Sequence, residues 1–301
     1  MRGLLFIKRK SSEQYNGISL IRHNSCNRFT LQKKKGLKTV FTIGAGNSGC
    51  DVLLLEIGEG YCCHALLKGE ERTFHQIQYV TFDELEAEEN LLHIIEELKK
   101  ENCEQIVICS AFPQSLLSPK QGHKNDYILL NVLYDTPSQK FLKDEIPEWQ
   151  MYITYAVPIS IYNSIKERFR FPEFVHAYTP SIKVFNGFIS DDQIDIHFST
   201  QHFRVLVKKE KQIQLAQTYL YKNPLDVVYY LLKICYEFAL DQSLVAIIVS
   251  GLIDQDSAMY TELRNYFLNL DFAQAPSYSI PENEYPLHYF TSLYNLAACV
   301  S

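Results

Sequence analysis

The 301-residue sequence has no run approaching the ~18 consecutive apolar residues that a membrane-spanning helix needs. It also lacks a Cys-x-x-Cys pair and a His-Glu-x-x-His motif, so neither a structural zinc site nor a zinc hydrolase is indicated, and no metal is expected. No Gly-x-Ser-x-Gly motif marks a nucleophilic serine. Several of the eight cysteines lie in apolar runs, which is typical of buried reduced thiols and predicts a cytoplasmic protein.

Charge is distributed unevenly along the chain. The formal net charge is -6, but residues 1–38 carry ten Lys or Arg side chains and a single acid, Glu13, which gives +9. The remaining residues therefore carry -15. A body this acidic repels nucleic-acid phosphates, so we expect no nucleic-acid partner over the main surface. Polar residues break up the few apolar ones of the basic head, and we expect residues 1–50 to form a poorly defined extension.

The rest of the chain contains an internal repeat. In each copy an acid-containing strand, a short turn and a second apolar strand ending in Lys are followed by a third strand, a helix and a buried strand. The hairpins are Leu55–Lys68 and Ile194–Lys208, and the final strands are Ile106–Ala111 and Ala246–Gly251. Glu56 and Asp195 differ by 139 positions and the final strands by 140, so we predict a duplication.

Three antiparallel strands, a helix and a further strand describe a ribonuclease-H-like unit. Two such units in tandem predict a mixed-sheet α/β protein with the actin-like ATPase fold and a nucleotide cleft between its halves. We expect the first half over residues 51–185, with an insertion near 112–150, and the second half over 186–301. The aromatic segment Tyr285–Phe290 is expected to close the second half on its own core.

Three segments resemble those of a bacterial family, domain-of-unknown-function family 3822. They are a strand-to-helix segment, a small-residue loop and a linker in the middle of the chain: Thr218–Leu232, Val249–Ile253 and Tyr155–Pro158. The resemblance extends from about residue 50 to the C-terminus. It implies an actin-like ATPase fold similar to that of type IV pilus assembly protein M, and it implies no established activity.

The resemblance also places a candidate nucleotide site. In catalytic members of the actin superfamily each half carries an Asp-x-Gly turn, where the Asp organises hydrated magnesium and the Gly admits phosphate oxygens. Here the turns read Glu56-Ile57-Gly58 and Asp195-Ile196-His197, and the adenosine loop reads Ser250-Gly251-Leu252. The candidate site residues are therefore Glu56, Gly58, Asp195, Ser250 and Gly251.

These turns depart from the catalytic pattern. The longer Glu56 displaces a metal, His197 replaces a glycine, and Leu252 takes a small residue's place. Because phosphoryl transfer depends on positioning and metal electrostatics, we expect no ATP hydrolysis and no catalytic residue. The favoured function is a non-catalytic scaffold or interaction module with an unidentified protein partner. The alternative function is a switch that binds ATP and magnesium. In purely structural terms, Glu56 and Asp195 are acids that cap turns at strand ends. A homodimer is also left open.

A further alternative rests on the Gly-x-Gly-x-x-Gly motif at Gly44–Gly49. Such glycines allow a pyrophosphate to approach a helix N-terminus, and the segment resembles the NADP loop of flavin-containing monooxygenases. It would make the protein an NADP- or flavin-dependent oxidoreductase. That site requires a helix directly after the motif, whereas Val52–Ile57 also fits a strand and Gly58 ends any helix early. We favour a turn-forming glycine segment.

Overall fold

The computed structural model describes residues 36–45, 50–68, 72–83, 86–122, 125–134, 138–184 and 191–300. The basic head expected to be poorly defined lies outside these ranges up to residue 35. Within them, the helices are too short or too polar to cross a membrane.

Five strands and one helix open the described chain: β1 (Leu37–Gly44), β2 (Val52–Gly58), β3 (Tyr61–Lys68), β4 (Thr73–Phe82), α1 (Ala87–Leu98) and β5 (Gln105–Ser110). β2, β3 and β4 form an antiparallel meander, and β5 is parallel to β2. β1 pairs antiparallel with the outer edge of β4. Phe41 and Ile43 of β1 are buried. The first sheet thus begins before residue 51. The expected boundary between the N-terminal extension and the first half, at residue 50, therefore lies too far along the chain, because β1 already belongs to the sheet.

A small sheet interrupts the first half. Its elements are β6 (Ser115–Pro119), α2 (Asp126–Tyr134), β7 (Gln139–Ile146) and β8 (Met151–Pro158). The strands lie in the order β6-β8-β7 and are antiparallel. This is the insertion expected near 112–150, but it extends to Pro158 because its central strand, β8, pairs with both of the others.

The chain then returns to the first sheet through α3 (Ile159–Arg168), β9 (Glu173–His176) and α4 (Tyr178–Val184). β9 pairs parallel with β5, which completes the strand order β1-β4-β3-β2-β5-β9. Helices α1 and α3 contact each other and cover one face of this sheet, where Leu55 packs with Ile95 and Ile161 in one apolar core. Burial of that face supplies the main driving force for the first half.

The second half repeats this arrangement. Its elements are β10 (Gln193–Phe198), β11 (His202–Lys209), β12 (Gln212–Leu220), α5 (Pro224–Glu237), β13 (Ala246–Gly251), α6 (Ala258–Tyr266), β14 (Leu270–Phe272) and α7 (Thr291–Ala298). The strand order β12-β11-β10-β13-β14 matches β4-β3-β2-β5-β9 of the first sheet. α5 starts at Pro224 because the Asn223 side chain accepts a hydrogen bond from the Asp226 amide and Pro224 occupies the first turn. The mixed-sheet α/β fold is confirmed, and the two halves share one strand order, as the predicted duplication requires.

The strand register corrects the alignment of the two copies. Corresponding cross-strand partners are Glu56 with Cys63 and Cys109 in the first sheet, and His197 with Arg204 and Ser250 in the second. Their numbers differ by 141 in every case. His197, and not Asp195, therefore corresponds to Glu56. The expected offset of 139 was wrong by two residues, because a two-residue slip along a strand keeps every side chain on the same face.

Helix α7 packs against the first sheet, not against the second half's own core. Leu293 and Leu296 of α7 are buried in one cluster with Leu54 of β2, and Phe290 just before the helix joins them. The aromatic segment Tyr285–Phe290 was expected to close the second half. The segment contacts both halves: the His288 ring stacks on Phe272 of β14 with ring centroids 4.2 Å apart, and the Tyr285 ring lies 5.0 Å from that of Phe41 in β1. α4 contacts α7, so two helices lie between the halves.

Cys50 and Cys103 form a disulfide, which corrects the expectation that all cysteines are reduced. The bond joins the residue two positions before β2 to the segment that leads into β5. It therefore ties together the starts of two adjacent parallel strands. Elsewhere in the described ranges the cysteines are free, and four of the five are buried.

Peptide mapping without reduction is expected to recover a Cys50–Cys103 cross-link. Under native conditions iodoacetamide should spare the buried Cys62, Cys63 and Cys109, because burial, with a smaller effect of the Glu56 charge, raises the pKa of each thiol. The Cys103→Ser variant is the control: its Cys50 should be alkylated once the variant is unfolded in urea, whereas the wild-type Cys50 should need reduction as well. Alkylation of both Cys50 and Cys103 in the unreduced native protein would refute the disulfide.

Candidate functional site

Glu56 lies at the centre of the interface between the halves. Its side chain is 2% exposed, near the end of β2. Oε1 accepts hydrogen bonds from the Tyr61 hydroxyl at 2.6 Å and from Arg204 Nη1 at 3.0 Å. Oε2 accepts a hydrogen bond from the Ser292 hydroxyl, and Ser292 Oγ also lies 3.2 Å from Arg204 Nη2. One carboxylate thus joins the first sheet, the second sheet and α7.

The ion pair between Glu56 and Arg204 stays charged at neutral pH. Burial alone raises the pKa of Glu56, but the Arg204 guanidinium, the nearby His197 and hydrogen bonds from Ser292 and Tyr61 lower it to about 2. Burial lowers the pKa of Arg204, but the Glu56 carboxylate together with Tyr61, Cys109 and Tyr178 outweighs burial, so the net shift is upward. Each charge is therefore held in the interior by the other.

This pairing occupies the position where the resemblance placed a metal-organising acid. A magnesium ion bound to Glu56 would have to replace a guanidinium and two hydroxyl donors. Gly58 was the glycine expected to admit phosphate. In the structure it leaves room for the Tyr61 ring, which a Cβ atom at this position would overlap. Among the described residues, no three His, Cys, Asp or Glu side chains are grouped to hold a metal.

The second sheet presents His197 and Ser250 at the corresponding place. His197 Nδ1 lies 3.0 Å from Ser250 Oγ, and the Ser250 hydroxyl donates to the Ile196 carbonyl at 3.2 Å. Since that hydroxyl has one proton, the imidazole Nδ1–H donates to Ser250. Burial, reinforced by the Arg204 charge, lowers the pKa of His197 to about 3, so the ring is neutral.

Gly251 has a structural role at the end of β13. Its φ of +77° lies in the left-handed region, and a Cβ atom there would overlap the Phe198 carbonyl of the neighbouring strand. The Leu252 amide donates to that same carbonyl at 2.9 Å. Ser250 and Gly251 together hold the ends of β10 and β13 against each other.

Asp195 faces a cavity of about 650 Å³ between the second sheet and helices α4 and α7. Its Oδ1 accepts a hydrogen bond from Gln193 Nε2 at 2.6 Å. Burial raises the pKa of Asp195 to about 7, although the Gln193 hydrogen bond and the Lys208 charge lower it in part. His197, Arg204, Ser250, Ser292 and Asn295 line the same cavity. A volume of this size is typical of small-molecule sites.

The family model described as "Protein of unknown function (DUF3822)" matches residues 43–270. The chain belongs to this family. A Bacteroides thetaiotaomicron protein with an actin-like ATPase fold and unknown function superposes with a TM-score of 0.71 at 13% identity, covering 82% of this chain and 95% of that one. The PilM–PilN type IV pilus biogenesis complex gives 0.56 at 9% identity, covering 84% and 99%. No protein with a curated description matches.

These similarities confirm the actin-like ATPase fold and leave the site to be judged on its own residues. Asp195 and Ser250 line one cavity, and Gly251 follows Ser250 at the end of β13. Glu56 and Gly58 lie on β2 of the first sheet. The structure adds Arg204, Tyr61 and Ser292, which the sequence did not single out. The sequence does contain one indication that Arg204 is buried and paired: it is the single charged residue in the otherwise apolar stretch Phe203–Val207.

The dinucleotide interpretation of Gly44–Gly49 is wrong. Gly46–Gly49 lies outside the described residues, but the element that follows is the strand β2 and not a helix. Gly44 ends β1 with a φ of +74°, where a Cβ atom would overlap the His75 carbonyl of β4. Since β1 pairs antiparallel with β4, the strand–turn–helix unit that holds a pyrophosphate is not formed here.

Proposed function

We propose that the protein is a non-catalytic actin-like protein that serves as a scaffold or interaction module. The observation that carries this proposal is the buried Glu56–Arg204 ion pair with its Ser292 and Tyr61 hydrogen bonds. These contacts engage both carboxylate oxygens of Glu56 on the first sheet, and the Arg204 guanidinium neutralises the Glu56 charge. Three of the roughly four lone-pair sites of the carboxylate are engaged by these donors, so hydrated magnesium would have to displace them.

The corresponding position on the second sheet supports the same proposal. There a neutral His197 stands where a second acid would complete a metal site. Phosphoryl transfer needs metal ions that neutralise charge developing on the phosphate oxygens, and a neutral imidazole beside an arginine–carboxylate pair does not hold them. The PilM–PilN complex shows that a protein of this fold is part of a protein assembly. We propose a protein partner here as well.

The cavity beside Asp195 favours a second candidate, an ATP-binding switch. Its lining residues come from the second sheet and from α4 and α7, which lie between the halves. A nucleotide bound there would change how the two halves pack, and a hinge motion of this kind would alter partner binding. This candidate requires binding without turnover, so experiment can separate it from the first.

Purified protein with ATP and magnesium is expected to release phosphate at the rate of an enzyme-free blank, and to show no thermal shift. Calorimetry and a phosphate assay measure the two responses, with Asp195→Asn as the matched variant. Stabilisation by ATP that scales with its concentration, without phosphate release, would favour the switch. Magnesium-dependent release that Asp195→Asn abolishes would refute the non-catalytic proposal.

We also propose a cytoplasmic location and a partner that is not a nucleic acid. The charge of -15 carried after residue 38 supports the second statement, because it opposes contact with phosphates. Disulfides persist mainly in oxidising compartments. A cytoplasmic location therefore predicts that Cys50 and Cys103 are both alkylated in the native cells and pair only after lysis, and a Cys50–Cys103 link in protein alkylated in those cells would contradict it.

A further inference from the structure

Three residues form a row across the face of the second sheet that lines the cavity of about 650 Å³. Asp195 of β10 is the cross-strand partner of Ile248 of β13, and Ile248 is in turn the partner of Asp271 of β14. Cross-strand partners project from the same face of a sheet, and all three residues line the cavity. An apolar side chain therefore lies between two carboxylates. We call these three residues the aspartate row.

The wall of the cavity carries a net negative charge. Besides the aspartate row, the ionisable side chains that line it among the described residues are Tyr178, His197 and Arg204. Tyr178 and His197 are neutral, because burial raises the pKa of the first and lowers the pKa of the second. The Arg204 charge is matched by Glu56, which also accepts a hydrogen bond from Ser292 in the first turn of α7. The charges of the two aspartates remain, so the cavity repels phosphates and attracts cations.

The inner member of the row, Asp195, is incompletely compensated by the protein itself. Among the described residues, Gln193 donates a hydrogen bond to this carboxylate, and that bond goes to Oδ1. The Lys208 charge acts on Asp195 as well, but Lys208 does not line the cavity. Burial still outweighs both and raises the pKa of Asp195 to about 7. A cation in the cavity would offset this cost, because an ammonium that donates a hydrogen bond to a carboxylate stabilises its ionised form.

The spacing of the aspartate row indicates the length of the ligand. Neighbouring strands lie about 4.8 Å apart, so the Cα atoms of Asp195 and Asp271, two strands apart, are separated by roughly 10 Å. An extended chain of four methylenes holds two nitrogens ~6 Å apart, and a hydrogen bond from each ammonium to a carboxylate adds ~2.8 Å at each end. The methylenes would lie over Ile248, beside Leu206 and Phe272, where covering apolar surface is favourable.

We propose that the cavity binds a short aliphatic diamine, with one ammonium at Asp195, the other at Asp271 and the methylene chain over Ile248. A carboxylate at each end of an apolar strip matches such a molecule, whereas it repels a phosphate group and offers an uncharged apolar ligand two unpaired charges. The proposal does not depend on the scaffold role. ATP, the ligand of the second candidate function, is the competing occupant of the cavity.

Titration calorimetry of the full chain with 1,4-diaminobutane tests this proposal. At pH 8 the Asp195 carboxyl, with a pKa of about 7, is mostly ionised, and about 0.15 M salt screens the exposed charges. We expect saturable binding with a Kd below about 1 mM. 1-Aminobutane has the same chain and a single ammonium, so it should bind at least about tenfold more weakly. ATP should not compete with the diamine, because the cavity wall repels its phosphates.

Two variants locate the binding site. Asp195→Asn and Asp271→Asn each remove one carboxylate charge with little change of shape, and each should weaken diamine binding by about tenfold or more. The matched control is Asp256→Asn, since Asp256 is an exposed carboxylate that does not line the cavity, and it should bind as the wild type does. Thermal unfolding checks that each variant is folded. Asp271 is exposed, so its replacement should change stability little and the test does not rest on Asp195 alone.

Four results would overturn the proposal. The first is the absence of saturable heat from the wild type with 1,4-diaminobutane up to about 10 mM. The second is equal weakening in all three variants, which would indicate a general attraction to the acidic surface. The third is equal affinity for 1,4-diaminobutane and 1-aminobutane. The fourth is displacement of the diamine by ATP, which would assign the cavity to the nucleotide. Loss of diamine binding would leave the non-catalytic proposal standing, because that proposal is tested by phosphate release.

Discussion

The Arg204→Met variant is expected to lose about 3–5 kcal/mol of unfolding free energy, because it leaves the Glu56 carboxylate buried without its counter-charge. Methionine keeps much of the apolar stem, so the change removes mainly the guanidinium. Ser292 and Tyr61 would still donate hydrogen bonds, but they carry no charge. Urea unfolding at pH 7, fitted with a common slope, measures the loss.

The double variant Glu56→Gln/Arg204→Met is the control for this prediction. It removes both charges and should recover most of the lost stability, since replacing a buried pair is far less costly than breaking it. The pKa of Glu56 is about 2 in the folded protein, against 4.5 for a solvent-exposed glutamate side chain. Its stabilising contribution is therefore present above about pH 4.5 and is lost as the pH falls toward 2. A single variant as stable as the wild type would contradict the ion pair.

The Asp195→Asn variant is expected to change how stability depends on pH. The Asp195 carboxyl has a pKa of about 7 in the folded protein, against 3.8 for a solvent-exposed aspartate side chain, so between these pH values the folded state holds a proton that the unfolded state releases. Stability from this group is therefore present at low pH and falls as the pH rises through 7. Between pH 5 and pH 8 the wild type should lose roughly 2–3 kcal/mol that the variant does not lose.

Denaturant unfolding at pH 5, 6, 7 and 8 measures this effect as the difference between wild type and variant. Asp256→Asn, which replaces an exposed carboxylate on the segment before α6, is the control and should follow the wild type. At pH 8 Asp195→Asn should be the more stable protein, because it no longer buries a charge. Parallel pH profiles for wild type and Asp195→Asn would show that Asp195 is solvated.

Much of the fold was accessible from the sequence, because its signals are local. The apolar runs at Ile106–Ala111 and Ala246–Gly251 became the parallel strands β5 and β13, and Asn223 followed by Pro224 marked the start of α5. β1 was missed as part of the first sheet because it precedes the duplicated unit and has no counterpart in the second half.

The candidate site was less accessible, because its contacts are long-range. Glu56 and Arg204 are 148 residues apart, and their pairing depends on how two sheets face each other. Asp195 and His197 lie on the same face of β10, so an alternating pattern does not decide which of them corresponds to Glu56. Cysteine pairing has no local signal either, which is why Cys50 and Cys103 were assigned as reduced thiols.

The position of α7 has a consequence for the order in which this protein is made. The first sheet is complete in sequence at β9, yet one of its faces is covered by Leu293 and Leu296. Thr291 follows Phe82 by 209 residues. At a synthesis rate of about 5–20 residues per second, the apolar face around Leu54 stays uncovered for roughly 10–40 s after β4 has been made. The first half therefore cannot finish folding on the ribosome before the second half has been synthesised.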